Sequence, residues 1–461
     1  MSKRKMRKRI IYALAARRSL LTIILVLLAS LEALGCTVMI VAASATKDER
    51  PLLFKNRDSS SAFMVEMRVE NGNGFKHMAQ YALSDGNWMG PWGGFNEEGF
   101  CIVNTLSYNF SGAELASMNS QIIDMALRQC RTTADFEQLI DGLPKPIDVK
   151  ANYGVIDAQQ HAVFYEVGPN GYTKFDVNDP QIAPNGVLVR TNYSLTGDTD
   201  RKVGEERWKA AEQFAADAMG SDQLDWRYIL QKLPRYLMHC NGTNLYATAP
   251  ATWNDETKTD IDGYIPRHSS TNAMMMQGVK DGESPLLTVC WAMVGPPIAT
   301  AVVPLFLTPN SILPQKAMAH GGNAWLCEKG QQLKAVIFPY SENTTKNIDL
   351  SKLYNREETG ILQRILKIEE EIIERGNNLI TDTRQWGTVS EESLTDYYVW
   401  LDNYLEQEYT SHFDVMISGV SVLTEKDVQP NEWWDIGGRK LKTSGSYRGV
   451  SIGRQGKFMR Y

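Results

Sequence analysis

Cys36 stands at a junction that dictates how the rest of the chain begins. Ahead of it lie a basic stretch, the apolar run Ser19 to Leu31 and the small-residue site Ala33-Leu34-Gly35, the three-part layout of an export signal. Cleavage after Gly35 makes Cys36 the first residue of the mature chain. The segment that follows, Cys36 to Ala43 (CTVMIVAA), is a near-continuous apolar run. The new terminus therefore opens a buried strand rather than a loose tail. Two other fates compete at this junction. One is a retained membrane anchor, for which the apolar run falls short of the ~20 residues that span a bilayer. The other is lipidation of Cys36, for which Ala33 and Leu34 stand in a poor order.

Removing the leader changes the charge argument. The first 35 residues hold eight basic groups and one acid, so the formal charge of −6 becomes −13 in the mature chain. Such a surface repels phosphate backbones and argues against a nucleic-acid partner. Six cysteines (Cys36, Cys101, Cys130, Cys240, Cys290, Cys327) are too scattered for a disulfide scaffold or a zinc knuckle. Cys101 and Cys290 sit in apolar runs, where a buried structural thiol is expected. The six histidines form no metal or triad motif, and no cofactor or metal is expected.

Past Cys36 the chain reads as short strands broken by turns. Lys47 to Pro51 is a polar turn and Leu52 to Asn56 a second strand, which together with the first make a hairpin. Helices are expected over Ser120 to Cys130 and over Ala134 to Leu143, the second with Thr132 and Asp135 as a capping pair. Asn152 to Asp157 and Ala162 to Val167 read as another hairpin. A helix follows over Gly204 to Ala218, and then apolar strands at Ala273 to Gly278, Leu286 to Val294 and Ala299 to Leu307. Strand blocks and helical blocks without regular alternation suggest an α+β layered fold. After about Leu350, Ile361, Ile365, Ile368 and Ile372 recur at helical spacing. The stretch from Gly437 to Tyr461 carries seven basic residues and no acid. The division expected is a signal peptide over 1–35, a catalytic domain over 36–350 and a helical extension with a basic tail over 351–461.

An N-terminal cysteine joins the two groups that nucleophilic catalysis needs. Its α-amine, with an unperturbed pKa of about 7.7–8.0, can take the proton of its own thiol. Four segments carry a resemblance. Cys36-Thr37 heads a strand, Leu53-Phe54-Lys55-Asn56-Arg57-Asp58 forms the next, Gly93 to Phe100 reads GGFNEEGF, and Arg190-Thr191-Asn192 precedes Glu206-Arg207-Trp208. In this order they resemble the N-terminal-nucleophile cysteine hydrolases, which include penicillin V acylase, choloylglycine (bile salt) hydrolase, acyl-CoA:6-aminopenicillanate acyltransferase and acid ceramidase. The match runs from Cys36 to about Leu307.

That resemblance implies a four-layer α-β-β-α sandwich. It also implies roles: Cys36 as nucleophile and base, Asp58 as the acid orienting the Cys36 amine, and Asn192 as a side-chain oxyanion donor. Arg207 would be a nearby cation, and Asn104 would place a backbone N–H in the oxyanion hole. One departure stands out, because many relatives have Arg before the strand's Asn, whereas this chain has Lys55 there and Arg57 after it. The activity implied is hydrolysis, or acyl transfer, of a linear non-peptide C–N amide in a small N-acyl substrate. It would take place outside the cytoplasm, in a bacterial periplasm or envelope. Membrane contact would come only through an uncleaved signal or the basic tail. A related cysteine dipeptidase, and a lipid-anchored binding protein of the same fold, remain the alternatives, and the oligomeric state stays open.

Overall fold

The computed structural model describes residues 35–59, 64–84, 87–113, 116–248, 258–317, 319–320, 323–339 and 347–418. It also describes four short strands between 433 and 460. The expected signal peptide lies outside the described residues, apart from Gly35. Among the described residues no helix is long and apolar enough to cross a membrane.

The hairpin that follows Cys36 forms as its pattern demands. β1 (Thr37–Val41) pairs antiparallel with β2 (Leu52–Asp58) in the register Thr37↔Asn56 and Val38↔Lys55. Next come β3 (Met64–Glu70), β4 (His77–Ser84), β5 (Asn87–Met89), β6 (Gly93–Asn96) and β7 (Cys101–Leu106). After α1 (Met118–Gln129) and α2 (Thr133–Gly142) the chain returns as β8 (Ala151–Ile156), β9 (Ala162–Gly168), β10 (Gly171–Asp176) and β11 (Val187–Arg190). The capping pair is present at α2, where Thr132 accepts from the Asp135 N–H and Asp135 from the Thr132 N–H. α3 (Glu205–Gly220) and α4 (Trp226–Lys232) follow, then β12 (Lys258–Asp260), which pairs outside the main sheets with Asn347–Asp349. The strands β13 (Ser270–Gln277), β14 (Val289–Met293) and β15 (Val303–Phe306) complete the first of the two main sheets.

Two antiparallel sheets result. The first has six strands in the order β11-β1-β2-β13-β14-β15, and the second runs β10-β9-β8-β7-β6-β4-β3 with β5 on β4. Strands β1 and β2 pack against β7 and β8 of the other sheet. The approach is close, since a Cβ at Gly154 of β8 would stand 2.9 Å from Leu53 and 3.2 Å from Ile40. α1 packs on β6 and β7, and α3 on β11 and β1.

Two long helices, α6 (Ile361–Trp386) and α7 (Glu391–Ile417), follow the shorter α5 (Trp325–Ile337). α6 lies against β15 with its isoleucine stripe buried. Ile361, Ile365, Ile368 and Ile372 belong to the same apolar core as Val38, Ile40 and Trp291. The helices expected as an extension beyond residue 350 thus share the core of the sheet. Residues 421–461 form a separate unit. Its described residues form a four-stranded antiparallel sheet, Lys440–Leu441, Trp433–Asp435, Gly449–Gly453 and Gly456–Arg460, in that spatial order.

Candidate active site

Strand periodicity sorts the residues of β2 onto two faces. Lys55 and Arg57 share one face and Asn56 and Asp58 the other. Lys55 lies opposite Val38 across the hairpin and reaches between the sheets. Its ammonium donates to Asn104 Oδ1 on β7 at 2.9 Å and to the Trp92 carbonyl at 2.6 Å. Arg57 donates to Thr271 Oγ1 at 3.1 Å and lies over the Trp92 ring, 4.8 Å from its centroid. A register irregularity in β13 between Ser270 and Asn272 turns Ser270 towards Asp58 and Thr271 towards Arg57. Bulges of this kind re-aim side chains beside functional sites.

Cys36 stands just ahead of β1. Its backbone N–H donates to Asn192 Oδ1 at 2.9 Å, and its carbonyl accepts from Arg207 Nη1 at 2.6 Å. Arg207 sits in the first turn of α3 and also donates to Asn192 Oδ1 (2.7 Å) and Thr37 Oγ1 (3.1 Å). The Asn192 amide NH2 donates to the Leu106 carbonyl at 3.0 Å. In this chain, with Gly35 still attached, the carbonyl side of the Asn192 amide faces Cys36, whereas the sequence reading looked to its NH2 group.

Asp58 is fully buried and its carboxylate is well occupied. Arg267 donates to Oδ2 through Nε (3.0 Å) and Nη2 (2.5 Å), while Ser270 Oγ (2.7 Å) and Asn56 Nδ2 (3.1 Å) donate to Oδ1. Arg267 Nη2 also reaches the Gly35 carbonyl at 3.4 Å. Asp58 is therefore linked to the Cys36 end of β1 through Arg267. Both guanidinium groups crowd residue 35: a Cβ there would stand 2.1 Å from Arg267 Nη2 and 2.7 Å from Arg207 Nη2, so a side chain would displace them.

The structure thus gathers Cys36, Asn192 and Arg207 directly, and brings in Asp58 by way of Arg267. It places Asn104 on the Lys55 side, where its side chain accepts the ammonium. Sequence reasoning missed Arg267. It lies 209 residues from Asp58, in a polar stretch whose only signal was its place just before an apolar strand. Tyr108 was missed as well; its backbone N–H donates to the Asn192 carbonyl at 2.9 Å.

The electrostatics are lopsided. Burial pushes Lys55 down to about 8, although a negative charge at Cys36 pulls it the other way. Burial, reinforced by the neighbouring Arg267, brings Arg207 down to about 10. For Arg267 the cost of burial is outweighed by Asp58, which holds the guanidinium above its ordinary value. Burial first, and then the charge at Cys36, raises the Tyr108 phenol. An anion formed at the Cys36 sulfur, or on a carbonyl attacked by it, therefore meets Lys55, Arg57, Arg207 and Arg267. The other cysteines lack this setting. Burial alone pushes Cys290 up to about 12, and burial also raises Cys101, Cys130 and Cys327. Among the described residues no cluster of His, Cys, Asp and Glu could hold a metal ion.

No protein-family model matches the chain, and no curated protein does. Among solved structures it is similar to an N-acylethanolamine-hydrolyzing acid amidase ortholog from Caenorhabditis elegans, with 14% identity over 52% of this chain and 92% of that one, at a TM-score of 0.35. It is similar to a mutant conjugated bile acid hydrolase from Clostridium perfringens, with 11% identity over 60% and 93% and a TM-score of 0.36. It is also similar to penicillin V acylase from Agrobacterium tumefaciens, with 10% identity over 60% and 87% and a TM-score of 0.32.

Proposed function

We propose that this protein is an exported amidohydrolase of the N-terminal-nucleophile cysteine type, in which Cys36, freed by cleavage after Gly35, attacks a linear C–N amide. On this reading the two sheets and the helices packed on them are the four-layer α-β-β-α sandwich of that class. The observation that carries the reading is the setting of Cys36: it heads β1, its nitrogen is held by Asn192, and Arg207 binds its carbonyl beside Arg267 and Asp58.

The chemistry follows from the groups present. The free α-amine takes the thiol proton and the sulfur adds to the amide carbonyl. The resulting oxyanion develops in a buried site rich in cations and amide groups, where fixed donors are worth most. The ammonium returns its proton to the departing amine, leaving a thioester on Cys36. Water, activated by the same amine, then releases the acid and restores the thiol; a second amine in place of water gives acyl transfer. Asn192 holds the α-nitrogen in line, and cleavage takes away the Gly35 carbonyl that Arg267 reaches, leaving the Asp58–Arg267 pair beside the new α-amine.

The test is a protein whose first residue is Cys36. It is expected to cleave a panel of N-acyl amides and to lose activity on thiol alkylation. Cys36→Ala should be folded and inactive. Full amidase activity in Cys36→Ala, or a diacylglycerol on Cys36 of the protein isolated from its native envelope, would overturn the reading.

A further inference from the structure

A pocket of about 360 Å³ opens at the turn end of the β1–β2 hairpin, whereas Cys36 stands at the open end of the same hairpin. Its volume lies within the range of small-molecule sites. Three segments wall it: Lys47 and Asp48 from the turn, Asp225 to Arg227 at the start of α4, and the face of α6 from Ile373 to Asn378. These walls are fixed by the protein's own packing. Trp226 stacks on the buried Trp291 of β14, with ring centroids 4.8 Å apart and planes at 15°. α6 approaches the same indole at Gly376, where a Cβ would stand 3.3 Å from Trp291 Cη2. Asp48 accepts from Gln277 Nε2 at 2.5 Å, and Asp225 accepts from the Tyr228 N–H at 2.8 Å. The pocket is therefore preformed.

Its lining rules out several ligand chemistries. Trp226 and Ile373 are the apolar members, so an apolar ligand would desolvate the polar groups around them with nothing to replace their water. Three carboxylates stand against two cations, which disfavours an anion. Asp48 and Asp225 are already bonded within the protein, which leaves Glu374 as the uncommitted carboxylate of the lining, offset by Arg227. A cation thus gains little. What stays free is a set of planar groups that both donate and accept. Glu374, Asn377 and Asn378 are exposed, and their side chains make no hydrogen bond or ion pair among the described residues. Arg227 has one long contact, to Gln231 at 3.4 Å. A hydroxyl both donates and accepts, and neighbouring hydroxyls on a ring match the paired atoms of an amide, a carboxylate or a guanidinium. The C–H face of a sugar ring packs against an indole.

We propose that this pocket binds a neutral saccharide, with a sugar ring against Trp226 and its hydroxyls bonded by Glu374, Asn377 and Asn378 from α6 and by Arg227 from α4. The site is separate from Cys36 and does not rest on the amidohydrolase reading.

The test is calorimetric titration of the protein beginning at Cys36 with cellotriose, maltotriose and triacetylchitotriose. At least one is expected to bind with a Kd below about 1 mM. Asn377→Ala/Asn378→Ala, at exposed positions, should weaken that binding by about tenfold, the loss of one or two hydrogen bonds. Trp226→Ala should abolish it, and Trp226→Phe, which keeps a ring on Trp291, should retain part of it if the alanine variant fails to fold. Sedimentation with insoluble cellulose or chitin separates the sources: retention on the solid assigns the site to a polymer, and calorimetric binding without retention assigns it to a free oligosaccharide. Absence of binding by all three sugars at about 10 mM would overturn the proposal. So would binding that Asn377→Ala/Asn378→Ala and Trp226→Phe both leave unchanged, or tighter binding of the cationic, deacetylated chitotriose than of all three neutral sugars.

Discussion

Arg235 and Arg207 are both fully buried, and the charge is handled differently in the clusters around them. Arg235 is enclosed and matched: it donates to both oxygens of Glu369 (2.8 and 2.6 Å) and to the Pro297 and Thr300 carbonyls, while Glu369 Oε1 also accepts the Val302 N–H. One cation meets one anion and the remaining polar groups are bonded. Around Cys36 four cations gather, and Asp58 is the one carboxylate bonded to any of them among the described residues. A closed inventory of this kind pins α6 to the strands, so its removal costs stability. An open inventory leaves positive potential for an anion that exists only during a reaction. On the proposed reading Arg235 and Glu369 are a structural charge cluster and the cations around Cys36 a chemical one.

The largest effect is expected where the balance is closed. Glu369→Leu strands Arg235 and should destabilise the fold by about 3–5 kcal/mol, read as a lower urea midpoint. Replacing both partners, Arg235→Met with Glu369→Leu, should recover most of that loss. A single Glu369→Leu variant as stable as the parent would erase the contrast.

At the open cluster the expected loss is in rate. Asn192→Ala should lower kcat by about 10² with little change in KM, because the α-nitrogen it holds must stay in line to take the thiol proton. A change confined to KM would make Asn192 a substrate contact. Its urea midpoint should fall far less than that of Glu369→Leu.

The smallest effect concerns pH and sharpens the difference. Lys55 is held down to about 8 by burial, so its cation is present below that pH and lost as pH rises through it. Activity is expected to decline on that limb. Stability should move the other way, because between about 8 and the ordinary lysine value of about 10.4 the unfolded chain binds the proton that the folded chain has released. Lys55→Arg, which stays charged, should carry activity to higher pH, and Lys55→Met should remove the stability rise. A profile that Lys55→Arg leaves in place would show that the Lys55 charge is not used.

Much of the fold was legible because it depends on near neighbours. The Thr132–Asp135 cap, the β8–β9 hairpin and the isoleucine stripe of α6 are each written within short stretches of chain, where period and capping chemistry act. The placing of Cys36-Thr37 at a strand head has the same origin, whereas the pattern ended the next strand at Asn56 and Asp58 joined it only through the resemblance. What the sequence could not reveal is which strand lies on the far side of β2. That neighbour is β13, and it brings Arg267 and Ser270 to Asp58 across more than 200 residues. The union of α6 with the sheet core through Arg235 and Glu369, 134 residues apart, is equally invisible in the linear order. So is the turn of the Asn192 amide that aims its carbonyl at Cys36. The sequence by itself determined the local elements and the residue types available for chemistry, because propensity and periodicity are short-range. Only the tertiary structure decided which charges meet, because strand order and register bring together residues with no signal linking them in sequence.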